Sequence, residues 1–228
     1  MTQPEIVHED HRVRVARDKR EKMHAHLLRS VTAVMSSGQS EGARVIDDVI
    51  RHAQVSRGTF YKHFGSLEDA VSELGAIMVD DMTVGIYDIY DCVEDPRHRT
   101  ATGFQLFLHR ARIDPHWGGF VAHIGLLGPE NEMIRHMAAD IQAGLDQKLY
   151  ALPSLECGLD LLVGTKIESI RRLIRDDKGL EYIEAMAAGV LRGFGCTPTD
   201  ATEIVNAESK RLCALSPGVL DWWPVGTC

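Results

Sequence analysis

Between Val45 and Phe64 the chain reads VIDDVIRHAQVSRGTFYKHF, and its last nine residues combine side chains suited to contact with a polyanion. Arg57 and Tyr61 are four apart, so on a helix they share one face, with Gly58, Lys62 and His63 flanking them. Phe60 and Phe64, also four apart, share a different face and can pack inward with Val55. One side is greasy; the other offers a guanidinium, a phenol, an ammonium and an imidazole. An arginine fork can bond two acceptors on a guanine edge in the major groove of double-stranded DNA, while Tyr, Lys and His hold phosphates. Ser56 is placed to cap the helix, and Gly58 lets its backbone approach a partner closely.

The elements that must position these residues are helices. Val45 to Ala53 and Arg57 to His63, broken at Gln54-Val55-Ser56, have the lengths and interruption of a helix-turn-helix. Ahead of them a basic run from Arg12 to Lys22 reads as a flexible arm over residues 1–22, either solvated or entering a minor groove. It leads into a helix on which Met23, Leu27, Leu28, Val31, Val34 and Met35 recur at three and four residues. Ser66, with Glu68 and Asp69 in the first turn, opens a long stretch reaching about Tyr90. Asp95-Pro96 interrupts it, and helices are expected over Arg99–Ile113, Glu130–Ala151, Ser154–Asp176, Leu180–Phe194 and Thr199–Leu212. Pro115 and Gly118-Gly119 are expected to break the chain before a short apolar helix ending near Gly128-Pro129. No alternating run flanked by hairpin turns occurs, so the fold class is all-α.

At this point Ser56 to Val71, SRGTFYKHFGSLEDAV, resembles the recognition helix and the following helix of the TetR (tetracycline-repressor) family of transcriptional regulators. Residues 20–75 carry the resemblance; Gly189 to Gly195, GVLRGFG, is similar to the end of that family's ninth helix. The resemblance implies DNA contacts from Arg57, Gly58, Tyr61, Lys62 and His63, with Ser56 and Thr59 near the backbone. It also implies a DNA-binding domain over 23–66 and a helical ligand-binding and dimerisation domain over 67–214; the tail over 215–228 has no clear period and reads as irregular. The sequence departs from the family at three places. Gln54 stands where a turn glycine is usual and must turn left-handed at some cost. Arg44-Val45 stands where a phosphate-binding Thr is usual, with Arg44 able to take over that role, and Leu67 replaces a common Lys.

The implied homodimer has support in the last two long helices, where Leu159, Leu162 and Ile170 on one and Met186 and Val190 on the next form apolar stripes among small residues. For a small-molecule effector, the middle helices offer Tyr87, Phe104, Phe107, Leu108, Trp117, Phe120, His123 and Ile124.

Charge supports the same polarity. The first 65 residues hold 11 Lys and Arg against 8 Asp and Glu, whereas the remaining 163 hold 14 against 25. A mildly basic head on an acidic body directs phosphates to one end of a chain whose net charge is −8. No apolar run approaches the ~18 residues that a membrane span needs, and the charged amino terminus is unlike an export signal. Five scattered cysteines suit reduced thiols in the cytoplasm. No phosphate loop, nucleophile elbow or zinc-protease motif is present, so neither an enzyme nor a cofactor is expected. His109, His116 and His123 are seven apart, but Pro115 and the glycine pair interrupt any helix that would align them on a metal. The competing readings are a helical dimer with a vestigial head that acts through protein partners, and a small-molecule enzyme.

Overall fold

The computed structural model describes residues 11–36, 45–83, 86–90, 93–124 and 132–226. Among these the chain forms α1 (His11–Ser36), α2 (Val45–Ala53), α3 (Arg57–Tyr61), α4 (Leu67–Thr83), α5 (Ile86–Tyr90), α6 (Pro96–Ile113), α7 (Pro115–Ile124), α8 (Glu132–Asp146), α9 (Leu155–Arg175), α10 (Leu180–Gly193) and α11 (Pro198–Val219), with no strand. Side-chain oxygens start several of them. Ser66 Oγ accepts from Asp69 N at 3.0 Å, Asp95 Oδ1 from Arg97 N at 2.8 Å, and Ser154 Oγ from Cys157 N at 3.3 Å.

The first four helices form a head built on α1. Leu27, Val31, Val49, Phe60 and Ala70 are buried together at its centre. His26 on α1 meets the carbonyl of Ala53 at 2.9 Å, and His24 meets Glu73 on α4 at 2.5 Å, so α1 braces both α2 and α4. In the body α6 is the axial element, packed by α7, α8, α9, α10 and α11. That explains why Ala101 to His109 are almost continuously buried. Glu208 on α11 accepts from Thr102 at 2.8 Å and Arg211 at 2.6 Å and meets His98 at 2.7 Å; Arg211 also donates to the carbonyl of Ile89 at 2.8 Å. This buried network fixes α11 across α6 and α5.

Four expectations change. The basic run is the beginning of α1 rather than a flexible arm over its whole length, since from His11 it contains no Gly or Pro and is rich in good helix formers. Arg17 and Glu21 face each other one turn apart. Gly118 and Gly119 do not break α7; they lie inside it. A Cβ on Gly119 would come within 2.9 Å of the Ser36 carbonyl oxygen, and one on Gly118 within 2.7 Å of Ala111. The pair lets α7 sit close against the end of α1 and against α6. The last helix continues to Val219 through Pro217, and beyond it Trp223 is buried against His109 with ring centroids 4.5 Å apart. Finally, Cys157 and Cys196 are free thiols, whereas Cys213 is disulfide-bonded, against the expectation of reduced thiols throughout. No described helix is long and apolar enough to cross a membrane.

Candidate nucleic-acid interface and ligand cavity

Ser56, in extended conformation, caps α3 by accepting from Thr59 N at 3.1 Å, and its Oγ lies 2.9 Å from Thr59 Oγ1. The cap sets the rotation of the short helix. Phe60 and Phe64 then point into the head, fully or almost fully buried, with their rings 5.4 Å apart. Arg57, Gly58, Tyr61 and Lys62 face solvent, and Tyr61 is half exposed. A Cβ on Gly58 would meet nothing nearer than Ser56 Oγ at 3.8 Å, so nothing within the subunit demands glycine there. Thr59 and His63 are half-buried. Burial, and then the nearby His24 and Arg20, lower the pKa of His63.

The turn itself has the geometry its sequence demands. Gln54 has φ +53°, the left-handed conformation expected of a residue at the usual glycine position. Leu67 is half-buried and packs against the head core. Arg44 lies outside the described residues. Asp47, on α2, was not foreseen: it accepts from Arg57 at 2.5 Å on an exposed surface. The pair spans two helices, and no spacing rule in the sequence points to it.

The ligand residues expected from the sequence are mostly not gathered around one space. Phe104, Leu108, Trp117 and Phe120 are core. His123 is exposed and borders a shallow groove with Met35, Ser36, Gly119 and Arg171. The side chains of Tyr87 and Ile124 lie outside the described residues. Among the described ones only Phe107 reaches the cavity of about 70 Å³ bordered by α5, α6, α8 and α9. Around it stand Ile86 and Tyr90 from α5, Arg99 and Gly103 from α6, Met133, His136, Met137 and Asp140 from α8, and Lys166 from α9.

Arg99 donates to Asp140 at 2.6 Å and lies over the Tyr90 ring, 4.6 Å from its centroid; the Tyr90 hydroxyl donates to the Arg99 carbonyl. Lys166 is fully buried. It donates to Met137 Sδ at 3.7 Å and lies 4.1 Å from the centre of the Phe107 ring. Burial brings its pKa down to about 7. The sequence did carry a sign of this residue: Lys166 falls in register with the buried Leu162, Ile170 and Leu173, one cation in an apolar stripe.

Of the residues expected at a dimer interface, Leu162, Ile170 and Val190 are buried within the subunit and back the outer surface of α9 and α10 rather than form it. Leu159 and Met186 are half-buried. The surface also holds exposed Leu161, Gly164, Ala185 and Gly189, with open space beside both glycines.

No protein-family model matches the chain, and no curated protein matches it in sequence. Solved structures do. RolR in complex with resorcinol superposes with a TM-score of 0.59 at 23% identity, over 82% of this chain and 95% of RolR. RolR without ligand gives 0.59 at 20% identity, over 80% and 96%. A protein from Shewanella sp. PV-4 assigned to the tetR family of transcription regulators gives 0.57 at 16% identity, over 77% and 97%. The chain therefore has the all-helical fold of these regulators, along nearly their whole length.

Proposed function

We propose that the protein is a ligand-responsive transcriptional regulator that binds a near-palindromic DNA operator as a homodimer, most simply as a repressor released by its effector. The observation that carries this reading is the division of α3 into two faces, with Phe60 and Phe64 interred and Arg57, Tyr61 and Lys62 presented outward. A major groove offers partners to an exposed tyrosine and to an arginine whose present partner, Asp47, is itself exposed. The left-handed Gln54 supports a working head over a vestigial one, because the turn keeps its shape despite the residue change.

The open glycine-bearing surface of α9 and α10 suits close helix approach between two subunits. A dimer of this kind would set its two α3 helices about 34 Å apart, one turn of duplex. The cavity suits a small effector, as RolR's complex with resorcinol suggests by likeness of fold. Its wall includes α5, which follows the α4 of the head, so an occupant that shifts α5 moves the head as well. An effector favouring the released state by ~100-fold would shift the balance by about 2.7 kcal/mol.

Selection from a random duplex pool tests the reading. The purified protein is expected to enrich an inverted repeat and to bind it with an affinity that falls steeply with salt. A pool that shows no enrichment over many rounds would contradict it.

A further inference from the structure

Lys166 is a cation placed where a cation is costly. Its Nζ has an aromatic face on one side and a thioether on another, and among the described residues no carboxylate pairs with it. The obvious candidate, Asp140, lines the same cavity but is held by Arg99 at 2.6 Å. Tyr90 is likewise committed to the Arg99 carbonyl. Of the ionisable groups on the wall, then, Arg99 and Asp140 neutralise each other, His136 sits on α8, and Lys166 has only a sulfur to donate to. The remaining wall, Ile86, Phe107, Met133 and Met137, is apolar and polarisable. Sulfur and aromatic surfaces of this kind suit a flat ring. The cavity is compact and open on one side, so it favours a small molecule with one edge at its mouth over an extended one.

We infer that the effector is a small planar carboxylate of the benzoate type, its charged oxygens accepting from Lys166 Nζ and its ring lying against Phe107, Met133 and Met137. This rests on the reading of the cavity as the effector site, and gives that site its chemistry. The carboxylate supplies a counter-charge that no described residue offers Lys166, and a charge-assisted bond is among the stronger polar contacts available. Gly103 belongs to the same design: a Cβ there would run into the Tyr90 hydroxyl, so the glycine keeps the α5 wall close to α6.

Binding of an anion also draws a proton onto Lys166. With an amine that titrates near 7 in the empty cavity, most molecules at pH 8 hold it neutral, and pairing restores the charge. Calorimetry of the full-length protein with benzoate at pH 8, in two buffers of different ionisation enthalpy, reads that proton directly. The expected uptake is about 0.9 proton per ligand. Benzamide, the neutral isostere, is expected to bind at least about tenfold more weakly than benzoate and with no uptake. Lys166→Met should lose that preference and the uptake together, while Lys210→Met, at an exposed lysine of α11, should keep both.

Equal affinity for benzoate and benzamide in the unaltered protein, absence of benzoate binding, or proton uptake that persists in Lys166→Met would each overturn the inference. No DNA is present in this experiment. An operator selected as above and released by a neutral effector would therefore sink this inference alone, and a failed selection would leave the calorimetry standing.

Discussion

Two arginine–aspartate pairs of nearly equal length lie in different halves of the molecule. In the head, Arg57 meets Asp47 at 2.5 Å with both side chains more than half exposed. In the body, Arg99 meets Asp140 at 2.6 Å beside the cavity, with most of both side chains covered. Distance does not distinguish them; surroundings do. Water screens the first pair and competes for both partners, so Asp47 holds Arg57 loosely and can yield it to a guanine edge or a phosphate. The second pair is partly desolvated. Burial raises the Asp140 pKa while Arg99 opposes that rise, so each group needs the other in place. The head keeps its charges cheap to redirect, and the body locks Arg99 to Asp140 beside a pocket in which no described carboxylate pairs with Lys166.

Substitutions can break or sharpen this contrast. The largest effect is expected under the head surface, where Phe60→Ala removes a fully buried ring and should cost about 3–5 kcal/mol in chemical denaturation. DNA binding should vanish with it. Next, Arg99→Ala leaves Asp140 without its partner and should cost about 2 kcal/mol, less than a fully enclosed pair because solvent reaches its edge. Asp47→Ala, by contrast, should leave the melting temperature unchanged. Equal losses from the two arginine–aspartate changes would erase the distinction.

Lys166 supplies a pH-dependent version of the test. It titrates near 7 in the folded chain and near its ordinary 10.5 when unfolded, so between these values the unfolded chain holds the extra proton. Stability is expected to climb as pH rises from about 7 towards 10, and Lys166→Met should flatten that slope and stabilise the neutral-pH protein by more than about 1 kcal/mol. Melting curves across this range provide the check. A slope unchanged in the variant would mean the amine is not desolvated as described. The smallest effect belongs to the turn: Gln54→Gly relieves a left-handed conformation and should add about 0.5–1 kcal/mol without altering DNA affinity.

The head was far more legible in sequence than the cavity, and the reason is range. The faces of α3, the cap at Ser56 and the strained turn at Gln54 follow from neighbours within about four residues, which is the reach of helical periodicity and capping rules. The cavity gathers Tyr90, Arg99, Asp140 and Lys166 from four helices. Their meeting depends on how α6 packs against its neighbours, which no local pattern states. Aromatic content misled for the same reason, since Phe104 and Phe120 fill the core that holds the cavity open elsewhere. The glycine pair in α7 shows the converse error: residues read as a local break answer to a distant contact with Ser36.

Binding of the selected operator by the double variant Arg57→Ala/Tyr61→Ala, followed by fluorescence anisotropy at several salt concentrations, tests the central claim most directly. The variant is expected to melt like the unaltered protein, keep its oligomeric state, and lose at least about a hundredfold in operator affinity, retaining only weak, sequence-independent association. Full operator affinity in a folded double variant would mean that the outward face of α3 does not read DNA.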